Sequence, residues 1–184
     1  MTAYTGLVTL VQLSACVLSD KNKMSYDAGI SYIRNVLEAT RTLQKNPDDL
    51  DARGIIMLGA SLSTSSRIGI GKEEPFAYDI YELEFLPEKL FGSTYRRSLT
   101  SIFPRFLAAM GRHHAAEVEK YCRDAFGFGS SIEESSRKLI ELFSGFGAEM
   151  YFDGKISREQ VDSIPCRTEL TPNEVFELMN SLIR

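Results

Sequence analysis

Tryptophan is missing from these 184 residues, and histidine appears only as the adjacent pair His113 and His114. Neighbouring residues on a helix point apart, so only His113 shares a face with Glu117. Two donors on a solvated helix read as surface, not as a metal site. Cysteine is scarce too. Cys16, Cys122 and Cys166 are odd in number and far apart. They give neither a disulfide framework nor a zinc pattern, and point to a reducing cytoplasm. No basic run exists and the net charge is −4, which argues against a nucleic-acid partner. No segment of useful length alternates apolar and polar residues, so strands are not expected. Ser14 and the serines from Ser63 to Ser66 have no histidine within sequence reach and no nucleophile elbow around them, so a hydrolase triad is unsupported.

The first 19 residues lack any charged side chain. A signal peptide needs a basic start, which is absent. A membrane span needs roughly 20 apolar residues, and this run is broken by Thr2, Thr5, Gly6, Thr9, Gln12 and Ser14. A buried central helix is the expectation, with no membrane partner.

What is present reads as helix almost throughout. Hydrophobic residues make up 43% of the chain and charged ones 25%, enough to bury a core in one domain spanning 1–184. From Ser25 to Leu43 the apolar positions Tyr26, Ile30, Ile33, Val36 and Leu37 follow the helical period. Asn46 to Asp49 breaks the chain and supplies an aspartate N-cap for a helix from Leu50 to Ile68. Its small residues, Gly54, Gly59, Ala60, Ser63 and Ser66, place that helix at the bundle centre. Gly69-Ile70-Gly71 reads as the turn that ends it. Pro75 and Pro87 bracket a short helix, Ser98 to Met110 forms another with a turn or kink at Pro104, and Arg112 to Phe126 a third. Capping boxes at Ser130/Glu133, Ser157/Gln160 and Thr171/Glu174 announce helices over 131–144, 158–164 and 172–183. The fold class is all-α, a multi-helical bundle of about eight helices. Tyr78, Tyr81 and Phe85 read as a core stripe, and Glu82, Glu84 and Glu88 as a solvated face.

The order of small motifs resembles one family. Thr5-Gly6, Ala52-Arg53, Met57, Ala60, Gly69, Gly71, Phe103-Pro104 and the segment Pro165 to Val175 fall where matching residues fall in iron-activated (group III) alcohol dehydrogenases. The resemblance is to their helical C-terminal domain, in the iron-containing alcohol dehydrogenase and dehydroquinate synthase-like fold. It implies a cleft at the first helix. It also implies an N-terminal nucleotide-binding domain, which this stretch does not contain. Gly69-Ile70-Gly71 follows a helix and lacks the third glycine and the later acid of a dinucleotide loop.

In that family an aspartate and a histidine on the first helix and two later histidines hold a divalent metal. The resemblance places Val8, Gln12, Asp79 and Tyr95 at those positions. Valine has no donor, and no Asp, Glu or His occurs in residues 1–19. No metal and no cofactor are therefore expected, nor autonomous NAD(P)-dependent dehydrogenase activity. Gln12, Asp79 and Tyr95 would converge on the old metal position. Asp79 and Tyr95 could act there as acid/base and hydrogen-bond donor. Arg96 and Arg97 could hold an anionic group, with Gln12 and Tyr81 completing a substrate site.

Two readings stand. One is a metal-free, non-redox enzyme acting on a small molecule by isomerisation, dehydration or cyclisation. In the other, Asp79 and Tyr95 are a satisfied structural pair, and the chain is a pseudoenzyme or the helical subunit of a split dehydrogenase. Such a chain would work through a homo-oligomer or a separate nucleotide-binding subunit.

Overall fold

The computed structural model describes residues 2–18, 21–65, 76–129 and 131–184. Among them lie nine helices: α1 (Thr2–Leu18), α2 (Lys23–Lys45), α3 (Leu50–Ser63), α4 (Phe76–Phe91), α5 (Tyr95–Met110), α6 (Ala115–Phe126), α7 (Ile132–Gly145), α8 (Arg158–Asp162) and α9 (Pro172–Asn180). No strand forms among these residues. The one β feature is an isolated parallel bridge between Phe152 and Ile183.

The uncharged first stretch is the hub. α1 touches α2, α3, α4, α5 and α6. Leu7, Leu10, Val11, Leu13 and Val17 are fully buried, so the helix is apolar nearly all round, as a central helix must be. The polar groups it carries inward are answered. Ser14 donates to the Leu10 carbonyl at 2.6 Å and accepts from the Tyr121 hydroxyl at 2.5 Å. Tyr121 packs edge-on against Phe103, which stacks on Phe143. Each such ring contributes up to about 3 kcal/mol of burial. No helix of the described residues is long and apolar enough to cross a membrane.

Two glycines set how closely the helices approach. A Cβ on Gly6 of α1 would lie 2.1 Å from Thr40 Oγ1 of α2. One on Gly59 of α3 would lie 2.7 Å from Val36 Cγ2 and 3.1 Å from Thr9 Cγ2. Only residues without a side chain fit there.

Several expectations need correction. α3 is not the bundle centre: it buries Ala52, Ile56, Gly59 and Ser63, whereas Gly54 is exposed and Leu50, Met57 and Leu58 are 79%, 73% and 59% exposed. It also stops at Ser63, not Ile68; the Gly69-Ile70-Gly71 turn, Ser66 and Ile68 lie outside the described residues. Pro87 does not end α4, which runs on to Phe91, and Pro104 sits inside α5. A proline inside a helix costs about 3 kcal/mol. Here both are buried among Leu83, Leu86 and Phe103, and packing carries the helices through. α5 begins at Tyr95 rather than Ser98. The cap of α7 is Ser131, accepting from the Glu134 amide, one residue past the expected box; Ser130 lies outside the described residues. The boxes at Ser157/Gln160 and Thr171/Glu174 form as read.

Candidate functional site

The site is built from α1 outward. Gln12 faces α3 and α5. Its Nε2 donates to the Tyr95 hydroxyl at 3.2 Å, and its Oε1 accepts from Ser63 Oγ at 3.3 Å. Cys16, one turn further along α1, points its thiol at the Ser63 carbonyl. Three helices distant in sequence thus meet in one polar knot. Tyr95 occupies the first position of α5 and is 39% exposed, so its phenol lies at the edge of the knot. Burial raises its pKa, the Gln12 hydrogen bond opposes this, and the nearby carboxyls of Glu84 and Glu88 raise it further. Tyr81 of α4 adds a second phenol, its pKa pushed up by burial and then by Tyr95, Cys16 and Glu84.

Asp79 does not join this group. It is buried, but its Oδ2 accepts from Thr168 Oγ1 at 2.6 Å and from the Glu169 amide at 2.9 Å. It pins the C-terminal segment to α4, assisted by Glu82, which accepts from the Arg167 amide at 3.2 Å. The acids whose charge reaches Tyr95 are Glu84 and then Glu88. Glu84 is 2% exposed, and its Oε1 has no hydrogen-bond partner. Burial first, then its neighbour Glu88, push its carboxyl up to about 8. The expected solvated face of Glu82, Glu84 and Glu88 is therefore wrong for Glu84. The expected aromatic core stripe is wrong for Tyr78 and Phe85, which are 40% and 52% exposed. The available signal was spacing: Tyr81, Glu84 and Glu88 stand at i, i+3 and i+7, one helix face.

The two arginines differ. Arg97 is committed: Nη2 donates to the Tyr151 carbonyl at 2.7 Å, Nε lies 3.0 Å from Glu149, and the guanidinium covers the Phe152 ring. Arg96 is exposed beside the ring of Tyr4, 5.7 Å from its centroid. Tyr95, Arg96 and Arg97 line a cavity of about 710 Å³ with Tyr4, Thr94 and Glu149.

His113 and His114 are not on a helix face. They lie in the turn before α6, His113 bonded to Glu174 at 2.8 Å and His114 to Glu169 at 2.5 Å. They tie the C-terminal segment down and stand apart from the knot.

A divalent metal does not fit these side chains. Val8 offers no donor, Gln12 and Tyr95 are bonded to one another, and Asp79 is turned away. No three His, Cys, Asp or Glu side chains cluster as metal ligands among the described residues.

No protein-family model matches the chain, and no curated protein matches it either. Solved structures do. NADH-dependent butanol dehydrogenase A from Thermotoga maritima superposes over 100% of this chain and 52% of its own, with a TM-score of 0.82 at 17% identity. An iron-containing alcohol dehydrogenase from Corynebacterium glutamicum covers the same shares, with a TM-score of 0.67 at 16% identity. Maleylacetate reductase from Agrobacterium tumefaciens gives 0.71 at 13% identity, over 98% of this chain and 52% of its own. This chain spans about half the length of these three proteins. Its fold is that of the helical C-terminal domain of the iron-containing alcohol dehydrogenases.

Proposed function

We propose that the polar knot around Gln12, Tyr95 and Glu84, together with the cavity beside Tyr95, binds a small molecule and carries out a metal-free, non-redox acid/base reaction on it: an isomerisation, dehydration or cyclisation. Glu84 is the proton-transferring carboxyl. Tyr95, oriented by Gln12, donates a hydrogen bond to oxygen as negative charge develops there. Tyr81 and the arginine-lined cavity next to Tyr95 bind the rest of the substrate. The observation that carries this reading is Glu84 itself, a buried carboxyl with one oxygen unpartnered beside a phenol. A carboxyl titrating near 8 is present in both forms around neutral pH: the ionised fraction takes the C–H proton as base, and the resulting acid returns it to another atom.

The test is solvent exchange. A panel of small carbonyl compounds is incubated with the protein in D₂O, and deuterium uptake at carbon is followed by NMR. Catalysed exchange is expected for at least one compound, falling about 100-fold in Glu84→Gln and in Tyr95→Phe. Exchange that survives Glu84→Gln removes Glu84 from the mechanism.

A second reading has its own observation. Leu50, Met57 and Leu58 leave apolar surface open on α3. Such surface suits a second copy of this chain or a separate nucleotide-binding subunit. Light scattering with Met57→Lys and Leu58→Glu tests self-association: a monomer unchanged by both variants counts against a second copy. In either reading the protein acts in the cytoplasm.

A further inference from the structure

Further along α5, Arg105 carries a charge that no carboxylate answers among the described residues. It is 7% exposed, on the third turn of α5. Its Nε donates to the Ser181 carbonyl at 3.1 Å, and Nη1 to the Ser101 carbonyl at 2.8 Å. The guanidinium lies 4.8 Å from the centroid of the Tyr151 ring. The two hydrogen bonds account for two of its five N–H groups. No carboxylate among the described residues pairs with it. Burial pulls its pKa down, and only Tyr151 works the other way. The Ser181 carbonyl belongs to the open end of α9, so the helix dipole offsets part of the charge. A partial dipole does not equal a counter-ion, and a buried unpaired charge is costly.

The same guanidinium lines a cavity of about 340 Å³ between α5, α7 and α9. The walls are apolar at Ala108, Ala109, Ile140 and Leu178. The nearby acids Glu174 and Glu177 are engaged with Arg112 and His113, and Glu133 is exposed. All three acids line the cavity, so a ligand of higher charge is repelled more strongly than one with a single carboxylate, and a planar carboxylate on a short apolar tail matches the arginine fork.

We propose that this cavity binds a small aliphatic monocarboxylate, its carboxylate on Arg105 and its tail against Ala108 and Leu178. The site is separate from the one around Glu84 and does not depend on the function assigned there.

The full chain, labelled with ¹⁵N, is titrated with sodium butyrate, and with inorganic phosphate as the second arm. Saturable shifts at the Arg105 Nε–H and the Ala108 amide are expected with butyrate and not with phosphate. Arg105→Gln should weaken butyrate at least tenfold. Because that variant also loses the bond to Ser181, Ala108→Leu fills the cavity with Arg105 in place, and the same tenfold loss is expected. Glu84→Gln should leave the affinity unchanged. Absence of a saturable shift at millimolar butyrate overturns the site. So does binding that is indifferent to both cavity variants. Phosphate binding in place of butyrate overturns the monocarboxylate assignment.

Discussion

Asp79 and Glu84 are both buried carboxyls on α4, five residues apart, and they live in opposite surroundings. Asp79 receives a hydroxyl and a backbone amide from the C-terminal segment. Glu84 has an oxygen with no partner and a second carboxyl, Glu88, beside it. Burial alone does not mark a carboxylate as chemically active. A buried acid that is fully hydrogen-bonded is a structural tie. One left short of donors keeps its proton and is available for transfer.

The contrast can be broken at four places. The largest effect is expected from Asp79→Ala, which strands the part-buried Thr168 hydroxyl and Glu169 amide. A loss of about 3 kcal/mol in urea denaturation is expected, with no change in chemistry per folded molecule. A loss under about 0.5 kcal/mol would mean the tie is decorative. Next comes Glu84→Gln. The folded carboxyl titrates near 8, above its ordinary 4.5, so the native state holds the proton that the unfolded chain releases. Stability is full below about 4.5 and falls as pH rises through 8. Glu84→Gln should therefore match the parent at pH 5 and exceed it at pH 9 by on the order of 2 kcal/mol. Equal midpoints at both values would contradict the buried, donor-poor setting.

Thr171→Ala is third. It removes the cap of α9 and should cost about 1 kcal/mol. It also removes the hydroxyl bond from Thr171 to Glu174, while the larger cause that holds this acid down at about 2, the backbone amide of residue 171, stays in place. A depressed acid stabilises above its unfolded pKa, and that contribution disappears as pH drops from about 4.5 toward 2. The variant's deficit should shrink over that acid window, measured by thermal melts. Smallest is Tyr95→Phe, which loses one half-exposed hydrogen bond to Gln12. A stability change below about 1 kcal/mol is expected, so a large loss of exchange activity there would report chemistry rather than folding.

Much of the architecture could be read from the residues. The uncharged opening run predicts α1 as the hub, and the boxes at Ser157 and Thr171 predict two helix starts. Gln12 and Tyr95 meet, as the family resemblance implies, because α1 and α5 are fixed by their own buried faces. The acid was legible only as a shared face of α4 with Tyr81, not as the residue that turns inward. Its placement depends on the rotation of α4 about its axis, and counting from Arg53 passes through residues 66–75, which lie outside the described residues. One residue turns a helix by about 100°, and the five between Asp79 and Glu84 by about 140° net. A small error in phase therefore exchanges one carboxyl for the other. The internal prolines were missed for a different reason. Their local penalty is visible in sequence, while the core that outweighs it is assembled from distant segments.

Gly6 has a consequence for the knot half a helix away. With Thr40 of α2 occupying the space where a methyl would go, the amino end of α1 is packed directly against α2. Gln12 lies on that same rigid rod. The 3.2 Å link from its amide to the Tyr95 phenol is thus a gauge of how α1 is seated. Gly6→Ala would lever the rod outward and open that link, without touching either residue that makes it.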